Sequence, residues 1–242
     1  MSIHSYIYEN ASVTSAACAI KILSLLEQSL SAAQPASFAI SGGSTPKLLF
    51  GELAKSRFDW SRVHLFWVDE RGVPPGDPQS NYKLAKEHLI DPAGFPASNV
   101  HRIQAELEPE TAARLYAEDI GKFFGLRSPG AFPRFDIIHR GMGPDAHTAS
   151  LFPGDSLIDN HKDLVGASYV EKFKQWRITL LPGVLEAARN TIMLVAGEDK
   201  AEPLRTVLHE PYDPKKYPVQ IGTHDGANVL WFLDKAAARL LN

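Results

Sequence analysis

Residues Ser37–Phe50 read SFAISGGSTPKLLF. A short β-prone run, Ser37–Ile40, meets two glycines, two hydroxyl residues and a proline, and then continues with helical spacing. A strand that passes through a glycine turn into a helix is the opening of a β–α–β unit. The fold therefore turns on whether such units repeat. They do: further strands are expected at Val63–Asp69, Phe135–His139, Asp163–Tyr169, Trp176–Leu180, Thr191–Ala196 and Val229–Leu233. Helices are expected at Ser12–Ala33, Thr45–Lys55, Asn81–Ile90, Pro109–Phe124, Pro182–Ala188, Lys200–His209 and Asp234–Leu241. Alternation of this kind predicts an α/β fold with a Rossmann-like, open, mostly parallel sheet and helices on both faces. Without repeats, low-complexity tracts or long linkers, one domain over residues 1–242 is expected. The proline-containing stretches Val73–Pro78, Ser128–Pro133 and Pro211–Pro218 read as surface loops.

Composition narrows the partners. Hydrophobic residues make up 44% and charged residues 22% of 242, which is enough for a sizeable core. A net charge of −3 gives no global basic field for nucleic acid or anionic membrane, so an anionic ligand needs a local cluster. The one cysteine, Cys18, forms no internal disulfide and excludes four-cysteine zinc sites. It suits a reducing cytoplasm. No run approaches the ~20 apolar residues of a membrane span, and no basic-then-apolar leader opens the chain.

In open parallel sheets, ligands bind beyond the carboxyl ends of the strands. Three loops qualify. Gly42 and Gly43 let backbone approach a ligand, Ser44 or Thr45 can cap the next helix, and Pro46 suits its first turn. Free amides there favour a phosphate, although a plain capped turn reads equally well; Walker A spacing is absent. At the second loop, Asp69, Glu70 and Arg71 end an apolar strand, either as a solvated end or as a site. Arginine there can fork onto phosphate, and Ser80 or Asn81 can cap the helix that follows.

The third loop, His139–Gly154, reads HRGMGPDAHTASLFPG. Gly141, Gly143 and Ala146 formally match a dinucleotide fingerprint, but Pro153–Gly154 cuts the following helix to about two turns. A metal would need His139, Asp145 and His147, a set without zincin spacing, and His139 also fits the strand pattern as a packed residue. No G-x-S-x-G elbow exists; Ser150 is expected in a short helical turn. Asp145 and His147 remain as an imidazole with a carboxylate to orient it, suited to activating water, or else a structural loop pair.

The segments SGGSTP, VDERGVP…SNY, GMGPDAHTASLFPG, RITLLPGVLEAARNTIMLVAGEDK and VLWFLDKAAARLL resemble the 6-phosphogluconolactonase family over nearly the whole chain, in order and spacing. The resemblance implies a cytoplasmic hydrolase of a small phosphorylated sugar lactone, 6-phospho-glucono-1,5-lactone, in the pentose phosphate pathway, without metal or organic cofactor. It places the family's catalytic histidine on His147, with Asp145 beside it. It puts the phosphate loop on Gly42, Gly43, Ser44 and Thr45, and the active-site arginine on Arg71. Arg177 and Lys200 match further basic positions. The chain departs from the pattern at Ala146, where the family usually has glycine, and at His139–Arg140, where it usually has aliphatic residues. A Cβ disfavours positive φ, so Ala146 is expected either to keep ordinary backbone angles or to re-aim the loop. The polar pair is expected to face solvent, meet a partner or alter the pocket. The alternatives are a sugar-phosphate isomerase or deaminase of the same fold group, or a non-catalytic sugar-phosphate binder. A deaminase usually follows its histidine with an AFNEPG-like run and has Tyr where Arg71 stands; sensors of this fold usually add a DNA-binding domain.

Overall fold

A computed structural model describes residues 4–30, 34–128, 130–224 and 228–241. Seven strands form a parallel sheet: β1 (His4–Tyr8), β2 (Ala36–Ile40), β3 (Val63–Trp67), β5 (Val100–His101), β6 (Ile137–Arg140), β9 (Thr191–Val195) and β10 (Val229–Asp234). Their order is β1-β10-β9-β6-β2-β3-β5, and every pairing is parallel. The chain leaves β2 toward β3 on one side and leaves β6 toward β9 on the other. Winding therefore reverses between β2 and β6, and a crevice opens beyond their carboxyl ends. Three further strands, β4 (Asp69–Arg71), β7 (Val165–Val170) and β8 (Gln175–Leu180), make a small antiparallel sheet in the order β4-β8-β7.

The expected α/β architecture is present, with instructive departures. Val63–Asp69 is not one strand. Val68 donates its N–H to Ile40 of the large sheet at 2.9 Å and accepts from Leu180 of the small one at 2.8 Å, so the chain changes sheets at this residue. Just before it, the Tyr116 hydroxyl takes over the Trp67 backbone, accepting from its N–H and donating to its carbonyl, both at 2.8 Å. The expected helix Asn81–Ile90 is α only as α3 (Asn81–Ala85) and widens to a π-turn over Lys86–Ile90 before a short α4 (Asp91–Ala93). Pro92 supplies the reason: it lacks an N–H and would crowd the carbonyl of His88 in a regular turn. The edge strands β1 and β5 went unread, being mostly exposed and two residues long respectively.

Helix α1 (Ala11–Leu30) realises the expected N-terminal helix; the last three residues of that expectation, Ser31 to Ala33, lie outside the described residues, as does Pro129 in the expected loop Ser128–Pro133. By length and composition α1 is long and apolar enough to cross a bilayer, against the sequence expectation. Its Cys18, Ile22, Leu25 and Leu26 are buried in the main core, where each large aliphatic side chain contributes about 1.5–3 kcal/mol. That packing explains its hydropathy. Helix α5 (Pro109–Phe124) matches its expected bounds, with the Glu108 side chain accepting from the N–H of Thr111 at 2.9 Å.

The pair His139–Arg140 does not face solvent: both residues are 0% exposed. Strand register places His139 beside Ile192, on the face that packs with α1, and Arg140 beside Met193, on the opposite face. Neither ring nitrogen of His139 has a partner among the described residues, and burial pushes its pKa down to about 3. The folded chain thus keeps His139 neutral where an unfolded chain binds a proton. Its contribution to stability is complete above the ordinary histidine range and drains away as pH falls from about 6.5 toward 3. His139→Leu should therefore flatten the acid side of the stability curve, by at most about 5 kcal/mol at the low end. Urea midpoints between pH 7 and 4 check this; parallel curves for the two proteins would contradict it.

Candidate active site

The carboxyl ends of β2, β6 and β9, with β4 and β8 from the small sheet, enclose a cavity of about 360 Å³. After β2 the backbone reaches Gly43, at φ 127°, and enters α2 (Ser44–Ala54). The expected side-chain cap is absent: Gly43 itself is the cap residue, and Ser44 and Thr45 stand in the first turn. The first-turn amides and both hydroxyls are thereby left at the cavity wall, where the helix dipole favours an anion.

Two arginines face each other across the small sheet. Arg71 on β4 pairs in register with Arg177 on β8, and both line the cavity. Arg71 donates through Nη1 to the Gln79 carbonyl at 2.5 Å, while the Nε of each arginine lacks a partner among the described residues. Burial, then the like charge of Arg71, pushes the Arg177 guanidinium below its ordinary value. Two adjacent cations with no ion-paired carboxylate among the described residues favour an incoming dianion. Lys200, mostly buried and 2.5 Å from Asp199, lines the cavity from the β9 side.

The charged triplet of β4 separates by role. Glu70 is buried and accepts from the N–H groups of Arg71, Asn81 and Tyr82 and from the Ser80 hydroxyl, all within 2.9 Å. It anchors the start of α3, where the Ser80 side chain accepts from Lys83 N–H as expected. Asp69 lines the cavity and accepts from Ser150 Oγ at 2.6 Å.

No helix forms within the third loop: residues 144–154 are turns closed by a Thr148–Leu151 bridge, so the short helical turn expected around Ser150 is absent, and only a 3-10 turn at Ser156–Asp159 follows. Asp145 Oδ1 is hydrogen-bonded to Nδ1 of His147. A carboxylate only accepts, so Nδ1 carries the proton, and Nε2 of the neutral ring is left with its lone pair. That bond, outweighing desolvation, holds the Asp145 carboxyl well below the ordinary range; Lys172 adds a cation 3.3 Å away. Phe152 packs against the imidazole with the rings tilted by 31° and their centroids 4.4 Å apart. His147 lines the cavity and Asp145 stands behind it. Gly143 leaves the ring its space: a Cβ there would lie 2.0 Å from His147 Cε1.

Ala146 does not keep the ordinary backbone angles that a Cβ favours: it stands at φ 62°, in the left-handed region, and Ala149 follows at φ 52°. The left-handed region costs a residue with a Cβ about 1–2 kcal/mol. The strain sits between the two members of the dyad.

Gly42, Gly43, Ser44, Thr45, Arg71, His147, Arg177 and Lys200 thus meet in one cavity, with Asp145 behind the imidazole. Phe152, Phe173, Lys172 and Asn81 were missed. Asn81 was read only as a cap; its side chain lines the cavity and donates to the Asp69 carbonyl at 2.9 Å. Lys172 and Phe173 lie on the β7–β8 turn, which carries no motif. Among the described residues, no three His, Cys, Asp or Glu side chains are placed to share a metal ion.

Fold and site define an open-sheet α/β protein that gathers an uncapped helix start, two arginines and an oriented imidazole at its topological switch point. The model of the glucosamine-6-phosphate isomerases/6-phosphogluconolactonase family matches residues 9–231, and the chain belongs to that family. A 6-phosphogluconolactonase of Haemophilus influenzae is 40% identical over 212 residues, spanning 86% of this chain and 88% of that one. Another, of Synechocystis, is 35% identical over 204 residues, with 84% and 83% covered. The structure of 6-phosphogluconolactonase from Trypanosoma cruzi aligns with a TM-score of 0.89 at 26% identity, over 100% of this chain and 97% of its own.

Ala146→Gly removes the left-handed penalty while adding glycine's chain entropy, which leaves a small net gain. Its melting temperature should rise by about 1–3 °C. Scanning calorimetry checks this, and a fall would mean that the turn is not strained.

Proposed function

We infer that the chain hydrolyses 6-phospho-D-glucono-1,5-lactone to 6-phospho-D-gluconate, the reaction of the oxidative pentose phosphate pathway, with residues 1–242 acting as one catalytic domain. The observation that carries this reading is the oriented His147 facing the same cavity as the Arg71–Arg177 pair and the start of α2. The 6-phosphate is held by the first-turn amides and hydroxyls of α2 and by the arginines, which also fixes the lactone ring relative to His147. Water held at Nε2 attacks C1 as the imidazole takes its proton; Asp145 stabilises the imidazolium that forms. Lys200 or an arginine answers the negative charge developing on the carbonyl oxygen. The C1–O5 bond then breaks, and O5 leaves with the proton that His147 returns. The new acid ionises to the product carboxylate. No step draws on a metal or organic cofactor. A cytoplasmic setting agrees with a lone cysteine that is buried. Arg71, rather than the tyrosine usual in deaminases, supports the lactonase over its fold relatives.

His147→Asn should lower kcat by about 10²–10⁴-fold, the usual worth of a general base, and leave 6-phosphogluconate binding intact. Arg71→Ala should do the reverse, weakening 6-phosphogluconate about 10- to 150-fold, the loss of one charge-assisted contact. Stopped-flow turnover corrected for spontaneous ring opening, together with calorimetric titration, separates the two effects. Near-normal turnover of folded His147→Asn would remove His147 as the base.

A further inference from the structure

Arg140 is wholly buried, yet one hydrogen bond is all it makes among the described residues: Nη2 donates to the Ile221 carbonyl at 2.8 Å. Its Nε and Nη1 have no partner there. Burial lowers the guanidinium to about 10, and Glu186 is the one charge that opposes this. A buried cation with one acceptor is a poor stabiliser, and an apolar isostere at such a site is often neutral or better for stability. Its value lies in what the bond holds.

Ile221 closes the turn Pro218–Gln220 by donating to the Pro218 carbonyl at 3.0 Å. From the same turn, Val219 donates its N–H to the Ala146 carbonyl at 3.0 Å. The backbone bonds next to Ala146, from its own N–H to Gly143 and from Gly143 to His147, are local, and the loop's other distant backbone bond, Gly154 N–H to the Lys215 carbonyl at 2.8 Å, lies at its far end. The Val219 bond reaches it from a distant part of the chain. The buried Gln220 side chain gives the turn a second anchor, donating to Val207 at 3.1 Å. Strained backbone persists only where its surroundings over-determine it. The two departures from the family pattern, a buried arginine at 140 and an alanine at 146, are thus joined through a single turn.

We propose that Arg140 is a positioning residue: by clamping the Pro218–Ile221 turn it holds Ala146 in the left-handed region and so aims His147. The proposal rests on His147 being the base in lactone hydrolysis. Arg140→Met should lower kcat about 10- to 100-fold, the scale of a small misplacement of a reacting group. Affinity for 6-phosphogluconate and melting temperature should not fall. In an Ala146→Gly background, where the left-handed turn needs no clamp, the same substitution should cost less than about threefold. Arg140→Lys, which keeps a donor, should lie between, and it carries the test if Arg140→Met does not fold. The imidazole Cε1–H resonance of His147 should shift or broaden in Arg140→Met, a readout that needs no substrate. Were the parent inactive on the lactone, the functional reading would fail while this signal still tested the clamp. Unchanged kcat with an unchanged His147 signal would overturn the proposal. So would an equal loss in both backgrounds accompanied by a fall in melting temperature.

Discussion

Two neighbouring parallel strands, β2 and β6, send their chains away in opposite directions, and the rest of the molecule accommodates that divergence. No crossover helix can cover the gap beyond their carboxyl ends. The glycine loop after β2 and the Gly141–Gly143 loop after β6 therefore open into a shared crevice. Val68, bonded to both sheets, adds the third wall: it carries the chain from β3 into β4 and brings Arg71 to the rim opposite Arg177. Arg71 and His147 are 76 positions apart in sequence, and sheet topology makes them neighbours of one cavity.

Within that crevice, local stability yields to a ligand. Two arginines stand together with nitrogens unused, one of them pushed down by burial and by its neighbour. Helix α2 begins without a side-chain cap. Ala146 and Ala149 hold left-handed angles, and Arg140 lies buried with one acceptor. On the proposed function, the arginines and the uncapped helix start serve the phosphate, and Ala146 with Arg140 serves the aim of the imidazole. Such concentrations of local conflict are expected at working sites.

Much of this was legible in the chain. Helix α5 could be read to its ends because Pro109 at its first position and Gly125 after its last are local signals. The loops after β2 and β6 were legible because glycine and hydroxyl residues follow short β-prone runs, and the resemblance to a family supplied roles that spacing alone left open. What stayed hidden depended on contacts distant in sequence. The break at Val68 is written in Ile40 and Leu180, and the capping of α3 by Glu70 spans a loop. Arg140 reads as a polar position until the sheet buries both faces of β6, and His139, which also fits the strand pattern as a packed residue, is buried beside it. Lys172 reaches Asp145 only because the β7–β8 turn folds over the dyad.

The central claim is that this crevice holds a phosphate at one end and hydrolyses a lactone at the other. It is tested most directly by turnover of freshly generated 6-phosphogluconolactone beside unphosphorylated gluconolactone, each corrected for spontaneous opening. The account predicts rapid hydrolysis of the phosphorylated lactone, with kcat/KM above about 10⁴ M⁻¹s⁻¹, and a far lower value for its unphosphorylated counterpart. Equal rates on both, or no rate above the blank on either, would contradict it.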